Sequence, residues 1–392
     1  MRVIEVLLMY VCHGASIIRL DAVTFLWAQP GNRCAHLEQT HEIVKLFRDV
    51  LDAVAPRAAL ITETNVPHEE NISYFGNGHD EAQMIYNFAL PPLVLHTFYA
   101  EDATVLSRWA SGLNTPSPTV TFFNFLDSHD GIGLMAAKNI LSDEQFEIIV
   151  KKTQEHGGFI SSKTGGDGRE EPYEANITWF SALNNDEEDG SDVALQIKRF
   201  VASRCIALAL PGVPGIYLHS LMGSRNDIEA ALRTDSKRDI NRTVIDERLI
   251  TEALQDPLSK ISRISRELGR LIAIRARKRA FHPNGKHKIL ELAREIFAVL
   301  RLSPEQDQYL LALINVSNKV CRPEIDIGQL EMEDLCILES DWYDIVSGME
   351  WVVEDRKLSI TMMPCDVIWL ESCQRKPRET DDRVPGSMQA RQ

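Results

Sequence analysis

Across residues 1–282, short β-branched runs alternate with longer segments of helical periodicity, and few architectures satisfy that alternation. A strand followed by a helix brings the chain back to a parallel neighbour, so the pattern predicts an α/β fold of the (β/α)₈ TIM-barrel type. Strands are expected at 16–20, 58–62, 83–88, 120–126 and 213–218, each with a polar or charged residue at its C-terminal end or just beyond. In such a barrel the strand C-termini form the catalytic face, so Asp21, Glu63 and Asp130 are expected at its mouth. Only about five of the eight strands that a barrel requires can be read from the chain. The first lies close to Met1, so the barrel is expected either to lack its first strands, with the chain truncated at its N-terminus, or to be completed in some other way.

Helices are expected at 37–54, 192–210 and 257–278. The first carries an apolar stripe of Leu37, Ile43, Val44, Phe47, Val50, Leu51 and Val54, and the last has Asp256 as its cap. The segment 132–192 reads as an insertion that roofs the barrel, with a turn at Gly165, Gly166 and Gly168 and an acidic run from Asp186 to Asp192. From 283 the pattern changes to alternating runs at 297–302, 309–316, 358–362 and 367–370, which predict a small antiparallel β-domain of sandwich type over 283–373. The tail 374–392 is charged, nearly free of apolar residues and expected to be disordered.

A net charge of −15 without a basic, aromatic-interleaved stripe excludes polynucleotide partners. The seven cysteines are scattered with no C-x-x-C pair, as in a reduced cytoplasmic protein rather than a disulfide or zinc framework. Val3 to Val11 is apolar, but Glu5 interrupts it and a signal peptide is not expected. No stretch is long and apolar enough to suggest a membrane span. In the cytoplasm the glycosylation sequons at Asn71, Asn176, Asn241 and Asn315 carry no meaning.

Three segments carry candidate chemistry: Ile18-Arg19-Leu20-Asp21-Ala22, Leu60-Ile61-Thr62-Glu63-Thr64 and Phe125-Leu126-Asp127-Ser128-His129-Asp130-Gly131. Retaining glycosidic chemistry needs an ionised carboxylate against the anomeric carbon and a protonated carboxyl about 5 Å away. Neighbouring barrel strands can supply that pair. Arg19 lies two residues before Asp21 on the same side of its strand, so it is expected to keep Asp21 charged. Glu63 ends a strongly apolar strand, whose burial favours the protonated form that a general acid needs.

In this order the three segments resemble the catalytic motifs of the α-amylase superfamily of glycoside hydrolases, in particular its sucrose-phosphorylase-like subgroup. Gly14 to Ala22 with Phe25-Leu26-Trp27, Ile61-Thr62-Glu63-Thr64-Asn65-Val66-Pro67-His68 and His129-Asp130-Gly131-Ile132-Gly133 carry the resemblance. Pro211 to Tyr217 and Asp239-Ile240-Asn241-Arg242 extend it. The resemblance implies Asp21 as nucleophile, Glu63 as acid/base and Asp130 as stabiliser of the oxocarbenium-like transition state. Arg19, His129 and Arg242 would contact the glucosyl unit, as would Trp27 just past the nucleophile. It implies phosphorolysis of an α-glucoside (sucrose, sucrose 6-phosphate or glucosylglycerate) to α-glucose 1-phosphate. The partners implied are a small sugar substrate and inorganic phosphate, with Lys237, Arg238 and Arg242 as part of the anion site; no cofactor or metal is implied, and a homodimer stays open. An α-glucosidase or transglucosylase of the same superfamily and an inactive truncated fragment are the alternatives. His41-Glu42 and His68-Glu69 lack the second histidine of a zinc motif, and Gly76-Asn77-Gly78 is too short for a dinucleotide loop. Phe122, Phe123 and Trp179 read as core.

Overall fold

The β-branched and aromatic runs of the first half pair as parallel strands. The computed structural model describes residues 2–32, 34–165, 168–185, 192–330 and 341–373. In chain order the first four strands are β1 (Ile17–Leu20), β2 (Ala59–Thr62), β3 (Met84–Tyr86) and β4 (Thr121–Asn124). The insertion holds β5 (Ile132–Gly133), β6 (Phe159–Thr164) and β7 (Glu170–Asn176), and β8 (Val213–Pro214) follows it. One sheet has the order β1-β2-β3-β4-β8, and the insertion forms a second with the order β5-β7-β6. Parallel register sets Arg19 beside Ile61 and Leu20 beside Thr62. The ladder runs one residue further, where the Glu63 amide donates to the Leu20 carbonyl at 3.1 Å. Asp21 and Glu63 therefore leave adjacent strands at the same level.

The expected strand 213–218 shrinks to two residues, because Pro214 has no amide to continue the ladder and Leu218–Met222 turns into a helix. Residues Arg2–Cys12 form a helix ahead of β1 rather than leading straight into a strand. Its Leu7 packs on Ile18, Phe47 and Leu51, while Val3, Val6, Met9 and Tyr10 stay exposed. The helix Glu38–Val54 buries Thr40, Val44, Phe47 and Leu51, spaced four, three and four residues apart on one face. Each fully buried apolar side chain of this kind stabilises by about 1.5–3 kcal/mol. In the helix Lys260–Ala276 the cap is Ser259, whose side chain accepts from the Ser262 amide, so the expected cap Asp256 lies too early. The helix Val193–Ala209 buries most of its surface, because it is packed on both sides.

The C-terminal part explains that second contact. Strands β9 (His287–Leu290), β10 (Ile296–Leu302), β11 (Tyr309–Asn315), β12 (Glu324–Asp326), β13 (Asp341–Asp344), β14 (Glu350–Trp351), β15 (Lys357–Ser359) and β16 (Val367–Cys373) follow in chain order. Six of them form the antiparallel sheet β14-β13-β16-β11-β10-β9, and β12 pairs with β15. Alternate residues of β10 go to opposite sides. Phe297 and Val299 join the core beneath the parallel sheet; Ile296, Ala298, Leu300 and Leu302 join a second core with Ile325, Trp342 and Leu358. Both faces of the strand are buried, which is why its sequence is apolar at every position but Arg301, whose guanidinium donates to the Ala209 and His282 carbonyls.

All four sequon asparagines are buried, at 0% exposure for Asn71, Asn176 and Asn315 and 4% for Asn241, so none can carry a glycan in this fold. Among the described residues no helix is long and apolar enough to cross a membrane. The expected disordered tail 374–392 and all but the last residue of the run Asp186 to Asp192 lie outside the described residues, as does Gly166 of the expected turn.

Phe297→Ala at the seam of the two parts is expected to cost about 3–5 kcal/mol, against less than about 0.5 kcal/mol for Val320→Ala at a half-exposed site. Denaturant midpoints of the two variants check this.

Candidate active site

Arg19 is the last but one residue of β1, and its guanidinium meets both neighbouring carboxylates. Its Nη1 lies 2.5 Å from Asp21 Oδ1, and its Nη2 lies 3.8 Å from Glu63 Oε2. Tyr86 at the end of β3 lies beside the same guanidinium, whose carbon is 5.4 Å from its ring centre. Burial pushes the Tyr86 hydroxyl upward in pKa, so it stays a neutral donor. Beneath it Phe88, Phe123 and Phe125 form an aromatic floor. Phe122 and Trp179 are core, as read from the sequence, and the Trp179 indole donates to Ser203 at 2.9 Å.

Glu63 accepts a hydrogen bond from the Ala22 amide at 2.9 Å. That amide is aimed by a left-handed residue: Ala22 has φ 45° and ψ 38°, a conformation that costs an L-residue roughly 1–2 kcal/mol. Strain of this kind is retained where the surroundings over-determine it. The Glu63 pKa is raised. Burial is the main cause; the Ala22 amide and Arg19 oppose it, while Asp21 and Asp130 add like-charge repulsion. The last two causes also locate the third carboxylate, because Asp130 must stand within electrostatic reach of Glu63.

Asp130 follows β4 through a loop that is anchored below. Asp127 is buried and pairs with the buried Arg204 at 2.8 Å; Ser220 donates to the same carboxylate. Above, Asn241 Nδ2 donates to the Asp130 carbonyl at 2.8 Å. Asp130 Oδ1 receives Arg238 Nη1 at 2.7 Å and Arg242 Nη2 at 3.3 Å, while Oδ2 faces His129 Nε2 at 3.5 Å. Oδ1 thus takes both arginine donors, and Oδ2 has only the more distant His129 beside it.

Asp21, Glu63, Asp130, Arg19, His129 and Arg242 are brought to one face by the fold. Trp27 is 43% exposed on the loop after the turn Val23–Phe25. Lys237 donates to the Ile160 carbonyl at 2.9 Å, and Arg238 and Arg242 are spent on carboxylates, so these three do not form an open anion cradle. His68 stacks on Phe122 and meets Trp109 edge-on, and His41 pairs with Glu81 at 2.9 Å. Sequence reasoning missed Tyr86, Tyr173 and Glu174. Tyr173 lies close to Asn65, next to the acid/base strand, and Gly133 lets the insertion pass there, since a Cβ would lie 2.6 Å from Asn65 Oδ1. The alternation Glu171, Tyr173, Ala175 against Pro172, Glu174, Asn176 marks a strand, but nothing in it says which carboxylate is buried.

Parallel strands end in Asp21 and Glu63, which share the Arg19 guanidinium, while Asp130 beyond β4 is held by Arg238 and Arg242. The fold matches a crystal structure of sucrose 6F-phosphate phosphorylase from Thermoanaerobacter thermosaccharolyticum with a TM-score of 0.67 at 24% identity, over 80% of this chain and 58% of that one. It also matches an α-amylase from H. orenii with a TM-score of 0.62 at 16% identity, over 95% and 64%. These two likenesses, each under 25% identity, are of fold alone; the sequence relatives place the chain in the α-amylase superfamily. Within it the sequence lies with the sucrose-phosphorylase-like subgroup: over 325 residues it is 47% identical to the glucosylglycerate phosphorylase of Allomeiothermus silvanus, covering 83% of this chain and 57% of that protein. No family model matches the chain. It spans 57% to 62% of the length of the curated glucosylglycerate phosphorylases it matches.

Two outcomes follow from the electrostatics. A carboxyl with a raised folded pKa contributes stability below its unfolded value, and that contribution is lost as pH rises through the folded value. Glu63→Gln is therefore expected to gain stability relative to the unmodified protein between pH 4 and pH 8, read as a growing difference in thermal midpoints. Asp127→Asn, which leaves Arg204 buried without its counter-charge, is expected to cost about 3–5 kcal/mol. Denaturant titration measures it.

Proposed function

We propose that the protein transfers a glucosyl unit from an α-glucoside to inorganic phosphate with retention of configuration. The observation that carries this reading is the Arg19 guanidinium shared by Asp21 and Glu63 on adjacent strands, with Asp130 close enough to shift Glu63. Asp21, exposed and ion-paired, attacks the anomeric carbon while Glu63, buried and disposed to hold its proton, gives that proton to the departing oxygen. Asp130 Oδ2 faces the positive charge that develops on the sugar. Phosphate then attacks the covalent β-glucosyl enzyme, Glu63 takes its proton, and α-glucose 1-phosphate leaves.

Glucosylglycerate is the donor best supported among glucosylglycerate, sucrose and sucrose 6-phosphate, because a protein of that activity shares 47% of the aligned residues. Small sugars and phosphate are the partners in this reading, with no nucleic acid or membrane, and the cytoplasm is its place. His129, Arg242 and Trp27 line the glucosyl side. Residues 1–282 are the catalytic part with its insertion at 132–192, and 283–373 the β-domain. We read the five parallel strands as part of a (β/α)₈ barrel whose remaining strands would pair at the outer edges of β1 and β8. One observation favours water as a competing acceptor: the Asp21 side chain is 71% exposed.

The test is product analysis with glucosylglycerate, with and without phosphate. Glucose 1-phosphate that appears only with phosphate supports the reading; glucose at the same rate in both replaces it with hydrolysis. Glu63→Gln should lower turnover of glucosylglycerate by about 10²–10⁴-fold while sparing the first step on glucosyl fluoride. Equal loss on both donors removes Glu63 as acid.

A further inference from the structure

The insertion does more than cover the site, since one of its buried carboxylates organises the third acidic residue. Glu174 lies on β7 with its side chain 4% exposed. Its Oε1 accepts from Arg238 Nε at 2.9 Å and from the Gly131 amide at 2.9 Å, and its Oε2 accepts from Arg238 Nη2 at 2.6 Å. This is the two-pronged match of a planar guanidinium to a carboxylate. It leaves only Arg238 Nη1 to reach out, and that donor grips Asp130 Oδ1 at 2.7 Å. Gly131 is required at this point: a Cβ there would lie 2.5 Å from both Cγ and Oε1 of Glu174.

We propose that Glu174 is a positioning residue for Asp130, holding it through Arg238 on the side-chain side and through the Gly131 amide on the backbone side. The inference rests on the reading of Asp130 as the carboxylate that stabilises the transition state. By balancing the Arg238 charge, Glu174 makes that arginine an aiming device rather than an anion receptor. By fixing Oδ1, the pair leaves Oδ2 turned to the sugar. A residue that acts in this way has no effect of its own once Asp130 can no longer carry charge.

A double-mutant cycle of Glu174→Gln and Asp130→Asn, assayed as glucose 1-phosphate release from glucosylglycerate, tests this. An amide offers one acceptor oxygen where the carboxylate uses two, and its NH₂ opposes a guanidinium donor. Glu174→Gln is expected to lower kcat by about 10–100-fold with KM nearly unchanged, a loss typical of a catalytic group displaced by about 1 Å. On the Asp130→Asn background it should cost almost nothing more, and Glu174→Asp should recover part of the activity. If both single variants collapse kcat and the losses multiply in the double variant, Glu174 acts independently and the inference is overturned while the functional reading stands. If Asp130→Asn leaves kcat intact, or the unmodified protein shows no turnover, the functional reading falls and the inference with it. Should Glu174→Gln fail to fold by thermal melting, the Glu174→Asp arm of the same cycle decides the outcome by the same criterion.

Discussion

One guanidinium serves two carboxyl groups with opposite requirements. In the proposed reaction Asp21 must be charged and Glu63 must hold a proton, and Arg19 pairs closely with the first at 2.5 Å and only loosely with the second at 3.8 Å. Exposure completes the difference: Asp21 is hydrated, whereas Glu63 is buried and finds its charged form disfavoured. Were Arg19 equally close to both, both would favour the ionised state and neither could serve as an acid. The parallel register of β1 and β2 sets that inequality, and the amide of the left-handed Ala22 tempers it, because its hydrogen bond to Glu63 favours the charged form that burial disfavours.

The surrounding fold holds this geometry from three directions. Below, the buried Asp127–Arg204 pair ties the loop after β4 to the helix Val193–Ala209, and the C-terminal sheet packs that helix from behind. Charge buried so deeply is costly unless paired, so the loop has few alternative positions. Above, the insertion sheet sends Glu174 inward, and the segment Lys237–Asn241 brings Arg238 and Asn241 to the same loop. Parts that are distant along the chain thus meet at Asp130.

Much of the architecture was legible from periodicity. β-branched runs ending in polar residues located the five parallel strands, and the apolar stripe located the helix Glu38–Val54. What periodicity misjudged were ends: Pro214 stops β8, and Ser259 rather than Asp256 caps the helix Lys260–Ala276, because caps depend on individual hydrogen bonds. The helix Arg2–Cys12 was missed, since a short apolar run carries strand and helix signals alike.

The sequence by itself determined which side chains are proposed for the chemistry, because Arg19 two residues before Asp21, Glu63 after an apolar strand and His129-Asp130-Gly131 are local patterns. Tertiary structure alone decided which cations serve the site and which neutralise buried acids. Lys237, Arg238 and Arg242 look like one basic patch when read along the chain. In three dimensions Arg238 belongs to Glu174 and Asp130, and Lys237 to a backbone carbonyl. A charge takes its role from the partner within a few ångströms of it, and those partners lie from 64 to 108 residues away in sequence.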